Sequence, residues 1–143
     1  MNVAAILKQK GRAVSTVSPT ASLLEAAQRL STKRIGAVVV VGSRGEVAGI
    51  VSERDIIRAL ATEGAECLVR PVSEMMTRQV DTCQEADTLD ELMAMMTARR
   101  FRHLPVITDG ALVGIVSIGD VVKHHVAEVE MEATAMRDYI THS

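Results

Sequence analysis

Gly49-Ile50-Val51-Ser52-Glu53-Arg54-Asp55 occurs a second time, as Gly114-Ile115-Val116-Ser117-Ile118-Gly119-Asp120. The residues ahead of each stretch recur in the same order. Val14-Ser15-Thr16-Val17, Ser22-Leu23-Leu24-Glu25 and the run Val38 to Val41 have counterparts in Val80-Asp81-Thr82-Cys83, Thr88-Leu89-Asp90-Glu91 and Leu104 to Ile107. The offset is 66 residues through the second strand and 65 after it. The missing residue falls in a turn, where Gly42 to Glu46 becomes the shorter Thr108 to Ala111. Two copies of one folding unit should differ there, because a slip inside a strand would turn its core face outward. Any site is then sought between the copies, and twice.

Each copy reads as strand, helix, strand, strand, helix, an α/β (α+β) fold. The first strand, Ala13 to Val17 or Gln79 to Cys83, is short and β-branched. Ser22 with Glu25 and Thr88 with Glu91 mark helix starts as capping boxes. Behind them Leu23, Ala26, Ala27 and Leu30, and Leu89, Leu92, Met93 and Met96, form one apolar stripe per helix. Both helices end in cations, Lys33-Arg34 and Arg99-Arg100, which suit the negative end of the macrodipole. Val38 to Val41 with Val47 to Val51, and Leu104 to Ile107 with Leu112 to Val116, are apolar hairpins that helices must cover. Pro105 fits only a strand start or edge. The second helix runs from Glu53 to about Thr62, and its counterpart from Ile118 onward. The chain therefore divides into a lead-in helix (1–12), repeat one (13–62), a linker (63–78), repeat two (79–127) and a helical extension (128–143). In that extension and the helix before it, Val122, Val126, Val129 and Met136 are loosely periodic, fit to pack on the domain or on a partner.

Composition excludes several functions. The 143 residues are 48% hydrophobic and 24% charged, the ordinary balance of one globular chain with a real core. A net charge of -2, with Phe101 and Tyr139 as the only aromatics, gives neither a basic footprint nor stacking platforms for nucleic acid. No apolar run reaches a membrane span, and Met1 to Leu7 is too short for a signal core. Cys67 and Cys83 have no metal-ligand or disulfide spacing and read as reduced cytoplasmic thiols. His124-His125 cannot both face one metal and read as solvated surface. No nucleophile with its base is present, so an enzyme is not expected.

The chemistry sits in Gly-x-x-Ser-x-x-Asp, where a strand runs into a helix. One reading is structural: Ser52 and Ser117 cap their helices, with Asp55 and Asp120 completing the caps. The other uses the same geometry for a ligand. A helix N-terminus offers N–H groups and a positive dipole end to a phosphate, the serine hydroxyl adds a donor, and the aspartate can accept both hydroxyls of a ribose. A capping aspartate has acceptor capacity left over, so both readings can hold.

These residues carry a resemblance. Val17-Ser18-Pro19-Thr20-Ala21-Ser22 through Ala26, then Arg34 to Val40, then the Gly49 to Asp55 motif, resemble one CBS domain; Arg102 to Ile107 with the Gly114 to Asp120 motif resembles a second, preceded by Met75-Met76-Thr77. The resemblance covers about Ala13 to Val126. It implies a tandem pair (a Bateman module) of two pseudo-twofold-related β-α-β-β-α repeats, here stand-alone with no attached enzyme. It also implies two clefts for adenosine-containing ligands such as AMP, ADP, ATP, NAD(H) or S-adenosylmethionine, a regulatory, energy-sensing role toward an unknown partner protein, and a homodimer. Carried over by position, one cleft combines Ser52, Arg54 and Asp55 with Thr82, Cys83, Arg102 and His103. The other combines Ser117 and Asp120 with Thr16, Val17, Gly36 and Ala37. On this assignment the cationic candidates fall in the first cleft, where Arg102 and His103 stand opposite Gly36 and Ala37. The alternative is an interaction module that works through its dimer surface, built on Ile56, Ile57, Val121 and Val122.

Overall fold

The computed structural model describes residues 1–142, so Ser143 of the expected extension lies outside the described residues. The elements are α1 (Val3–Lys10), β1 (Thr16–Val17), α2 (Leu23–Lys33), β2 (Ala37–Val41), β3 (Val47–Ser52), α3 (Glu53–Glu63), α4 (Leu89–Arg99), β4 (His103–Thr108), β5 (Ala111–Ser117) and α5 (Ile118–His142). Two 3₁₀ turns, Gly64–Val69 and Val72–Glu74, occupy the linker. Ser22 and Thr88 accept the third-residue N–H of α2 and α4, so both helices start where the caps place them. Leu23, Ala26 and Leu30, and Leu89, Leu92 and Met96, are buried as the stripes require. Among the described residues no helix is long and apolar enough to cross a membrane.

The first sheet has the order β1-β2-β3, with β1 parallel to β2 and β2 antiparallel to β3. The second is the antiparallel pair β4-β5. Both hairpins shift register at the same repeat position, Val40/Val41 and Val106/Ile107. The first strand expected at Gln79 to Cys83 reduces to one parallel bridge, Cys83 to Val106. Proline accounts for this: in copy one the Val39 N–H donates to the Ser15 carbonyl at 3.1 Å, and Pro105 stands at the position of Val39 with no N–H to give.

Each repeat is completed by the segment that precedes the other. Val3, Ile6 and Leu7 of α1 share a core with Cys83, Leu89, Leu92, Leu104, Val106 and Val116. Cys67 and Val72 of the linker share the other core with Val17, Leu23, Leu30, Val38 and Val51. The docking bonds repeat as well. Val3, Ala4 and Leu89 pair with Asp87, Glu85 and Met1, while Val72, Ser73 and Leu23 pair with Ala21, Pro19 and Arg70. Segment 1–7 thus matches segment 70–76, and the close approaches of Leu7 to Gly114 and Met76 to Gly49 follow the same rule. His124, expected in solvent, is 5% exposed, because the face of α5 that buries Val121 continues one turn onward to it.

Candidate functional site

In both junctions the serine and aspartate bond each other in the same way. The Ser52 N–H and hydroxyl donate to Asp55 Oδ2 at 2.9 and 3.1 Å, and the Asp55 N–H donates back to Ser52 Oγ. Ser117 and Asp120 repeat this at 2.9, 3.0 and 3.2 Å. The serine hydroxyl therefore gives its hydrogen to the neighbouring carboxylate, and the phosphate-donor role read from the sequence requires that hydrogen to turn away. The first N–H of each helix is also engaged, Glu53 to the Gly36 carbonyl and Ile118 to the Arg102 carbonyl. Those bonds tie each helix start to its own second strand. The second N–H, on Arg54 or Gly119, has no acceptor among the described residues.

A cavity opens at each junction, between the repeats. The first, about 230 Å³, is lined by Ser52, Arg54, Asp55, Arg58 and Thr77 from one side and by Arg100, Arg102 and His103 from the other. The second, about 490 Å³, is lined by Ser117 and Ile115 with Lys10, Ser15, Arg29, Lys33, Arg34, Gly36 and Ala37. Gly36 and His103 line both, and a Cβ on Gly36 would lie 3.0 Å from His103 Nε2. The imidazole thus packs on bare backbone at the wall between the cavities. Burial, with Lys10 nearby, holds its pKa below the usual value.

Thr82 and Cys83 line neither cavity. Cys83 is in the second core, its thiol pushed up to about 12 by burial and by Asp87. Thr16 and Val17 line a separate open recess of about 620 Å³ with Ser18 and Glu25. The residues that reach the second cavity from that region are Ala13, Val14 and Ser15, just ahead of β1. The charge asymmetry expected from the sequence is also corrected: Lys10, Arg29, Lys33 and Arg34 all line the second cavity. Lys33-Arg34 and Arg99-Arg100 looked like dipole partners. In the structure Arg34 (φ 54°) and Arg100 (φ 58°) adopt the left-handed conformation at the ends of α2 and α4, and each lines a cavity. That conformation costs a non-glycine residue of order 1–3 kcal/mol and clusters at functional sites. In the sequence the available signal was the recurrence of arginine at this one repeat position.

The acids differ in their third partner. Asp55, 8% exposed, receives the Thr77 hydroxyl on Oδ1 at 3.2 Å, with Arg58 at 3.6 Å. Asp120 receives the Lys10 ammonium on Oδ2 at 2.6 Å, and the same ammonium donates to the Ile115 carbonyl at 2.9 Å. Burial pulls the Asp120 carboxyl upward, but the bonds from Lys10 and Ser117 outweigh it and leave it below its ordinary value.

Solved structures share this architecture. A CBS-domain-containing protein from Agrobacterium tumefaciens is 50% identical with a TM-score of 0.85, over 87% of this chain and 99% of that one. A CBS domain protein from Pyrobaculum aerophilum complexed with AMP is 28% identical, TM-score 0.75, over 84% and 89%. The CBS domain pair of protein MJ0100 in complex with 5′-methylthioadenosine and S-adenosyl-L-methionine is 28% identical, TM-score 0.80, over 90% and 98%. The chain spans about two thirds of the length of the first curated relatives it matches, 66% for one from Acidianus ambivalens and 69% for one from Arabidopsis thaliana. The CBS domain family matches residues 11–62 and 72–127. With two family matches on two structural repeats, the chain belongs to the CBS-domain family as a tandem pair.

Proposed function

We propose that this protein is a regulatory module that binds an adenosine-containing ligand, AMP, ADP, ATP or NAD(H), in the clefts between its repeats and transmits its occupancy to another protein. The observation that carries the reading is the duplicated acid box: Asp55 lines the first cavity, Ser117, which is bonded to Asp120, lines the second, and arginines of the opposite repeat line both. Relatives of the same fold bind AMP, 5′-methylthioadenosine and S-adenosylmethionine, and what those ligands share is the adenosine that a ribose acid recognises. The role is regulatory rather than catalytic, and two free, buried thiols suit a reducing cytoplasm. Ligand at a hundred times its dissociation constant stabilises a fold by about 2.7 kcal/mol, or roughly 5–10 °C in melting temperature at this size. A thermal-shift panel of AMP, ADP, ATP, NAD(H) and S-adenosylmethionine should show that rise for at least one compound. No rise with any of them overturns the reading.

A second reading is an interaction module, and the exposed apolar side chains Ile57, Val122 and Val126 on α3 and α5 favour it. Ile56 and Val121, also assigned to that face from the sequence, are buried within the chain. A homodimer through this face is compatible with either reading. Light scattering should give twice the 15.4 kDa of the chain; a monomer at micromolar concentration refutes the dimer.

A further inference from the structure

We propose that the Asp120 cleft, not the Asp55 cleft, selects phosphorylated ligands, and that Lys10 makes the selection by exchanging Asp120 for phosphate. The inference rests on the adenosine reading above and deepens it. Three differences point to this cleft. Its volume, about 490 Å³, falls in the range of roughly 300–1,000 Å³ typical of small-molecule sites, while the other, about 230 Å³, falls short. Its lining includes four cations, Lys10, Arg29, Lys33 and Arg34, of which, among the described residues, only Lys10 is paired with an acid, Asp120, itself not a lining residue, whereas Glu53 and Asp55 line the neighbouring cavity beside its arginines. And Asp120 Oδ1 has no donor among the described residues, whereas both oxygens of Asp55 are engaged.

Lys10 sets the selectivity. Asp120 Oδ2 already accepts three donors, from Ser117 N, Ser117 Oγ and Lys10 Nζ. A ribose that uses both carboxylate oxygens must displace the lysine, the one partner of the three on a flexible stem. The freed ammonium needs an anion, and a nucleotide supplies it among Arg29, Lys33 and Arg34. An uncharged nucleoside breaks the same ion pair and gives nothing back. The Ser15 hydroxyl, buried in the wall of this cavity without a partner among the described residues, is a further polar group that a bound molecule can satisfy.

Calorimetry with ATP and adenosine as probes, on the parent protein, Lys10→Met and Lys10→Arg, tests this. Lys10→Met should lower the affinity ratio of ATP to adenosine by about fivefold or more, as the loss of a charge-assisted phosphate contact implies, and Lys10→Arg should restore most of it. A smaller fall in that ratio, with both probes still bound, overturns this proposal and leaves the adenosine reading standing. A larger fall in Arg54→Ala than in Lys10→Met assigns phosphate selection to the Asp55 cleft, with the same consequence. Failure of the parent protein to bind either probe overturns this proposal, and the thermal-shift panel then decides the adenosine reading by itself.

Discussion

The two junctions share a motif and differ in what closes them. At Asp55 the chain leaves the linker extended, so Thr77 pairs with Ile50 in both directions and sets its hydroxyl on the acid. At Asp120 the matching segment remains helical for another turn, and one lysine side chain does both jobs, on the Ile115 carbonyl and on the acid. A backbone pairing in one copy has become an ion pair in the other. The first is fixed by the sheet; the second can be exchanged at the cost of moving one side chain. Duplication gave the clefts a common frame, and the segments that precede the repeats made them unequal.

The largest expected effect tests whether α1 belongs to repeat two. Leu7 is 1% exposed, so Leu7→Ala should destabilise by about 2–5 kcal/mol in denaturant titration, while Met76→Ala, at a half-buried counterpart, costs less. Equal costs would erase the distinction. Next, Val39→Pro should impose on copy one the truncation that Pro105 causes in copy two. It leaves the Ser15 carbonyl without its donor, a loss of about 1–3 kcal/mol, with amide exchange around β1 accelerated. The glycines compare more finely. A Cβ on Gly49 would lie 2.8 Å from the Thr77 carbonyl, which is backbone, whereas on Gly114 it meets only the Leu7 side chain. Gly49→Ala should therefore cost about 1–3 kcal/mol by overpacking, and Gly114→Ala less.

The smallest effect is on pH. Burial lowers the His103 pKa below 6.5, so the unfolded chain binds more protons and stability rises with pH. That contribution is complete above the ordinary histidine value and is lost as pH falls below it toward the folded value. Asp120, with its pKa lowered, contributes above the ordinary carboxyl value, and that stability is lost as pH falls through the folded pKa. His103→Gln should flatten the decline below neutrality and leave the acid limb in place. An unchanged decline would show that another group governs it.

The repeat, the caps and the buried stripes were legible because each is local: Ser22, Thr88, Ser52 and Ser117 all cap the helices that follow them. Contacts between distant residues were not. Lys10 meets Asp120 from 110 positions away, in a segment that matches the linker at an offset other than 66, so the alignment of the repeats passes it by. Thr16 and Val17 were carried over from a strand position, but the parallel pairing to β2 brings the residues ahead of β1 to the cavity instead. Thr82 and Cys83 were carried over in the same way, and no residue of 79–83 lines either cavity. Arg34 and Arg100 had an adequate explanation in the helix dipole, and only their backbone conformation sets them apart.

The central claim is that the two acid boxes are binding sites. Titration of AMP into the parent protein, Asp55→Asn, Asp120→Asn and the double variant tests it most directly, since asparagine keeps the shape of the cap and removes the charge. Saturable binding to the parent, weakened in each single variant and lost in the double, is the predicted result. Undiminished binding of AMP to the double variant would contradict it.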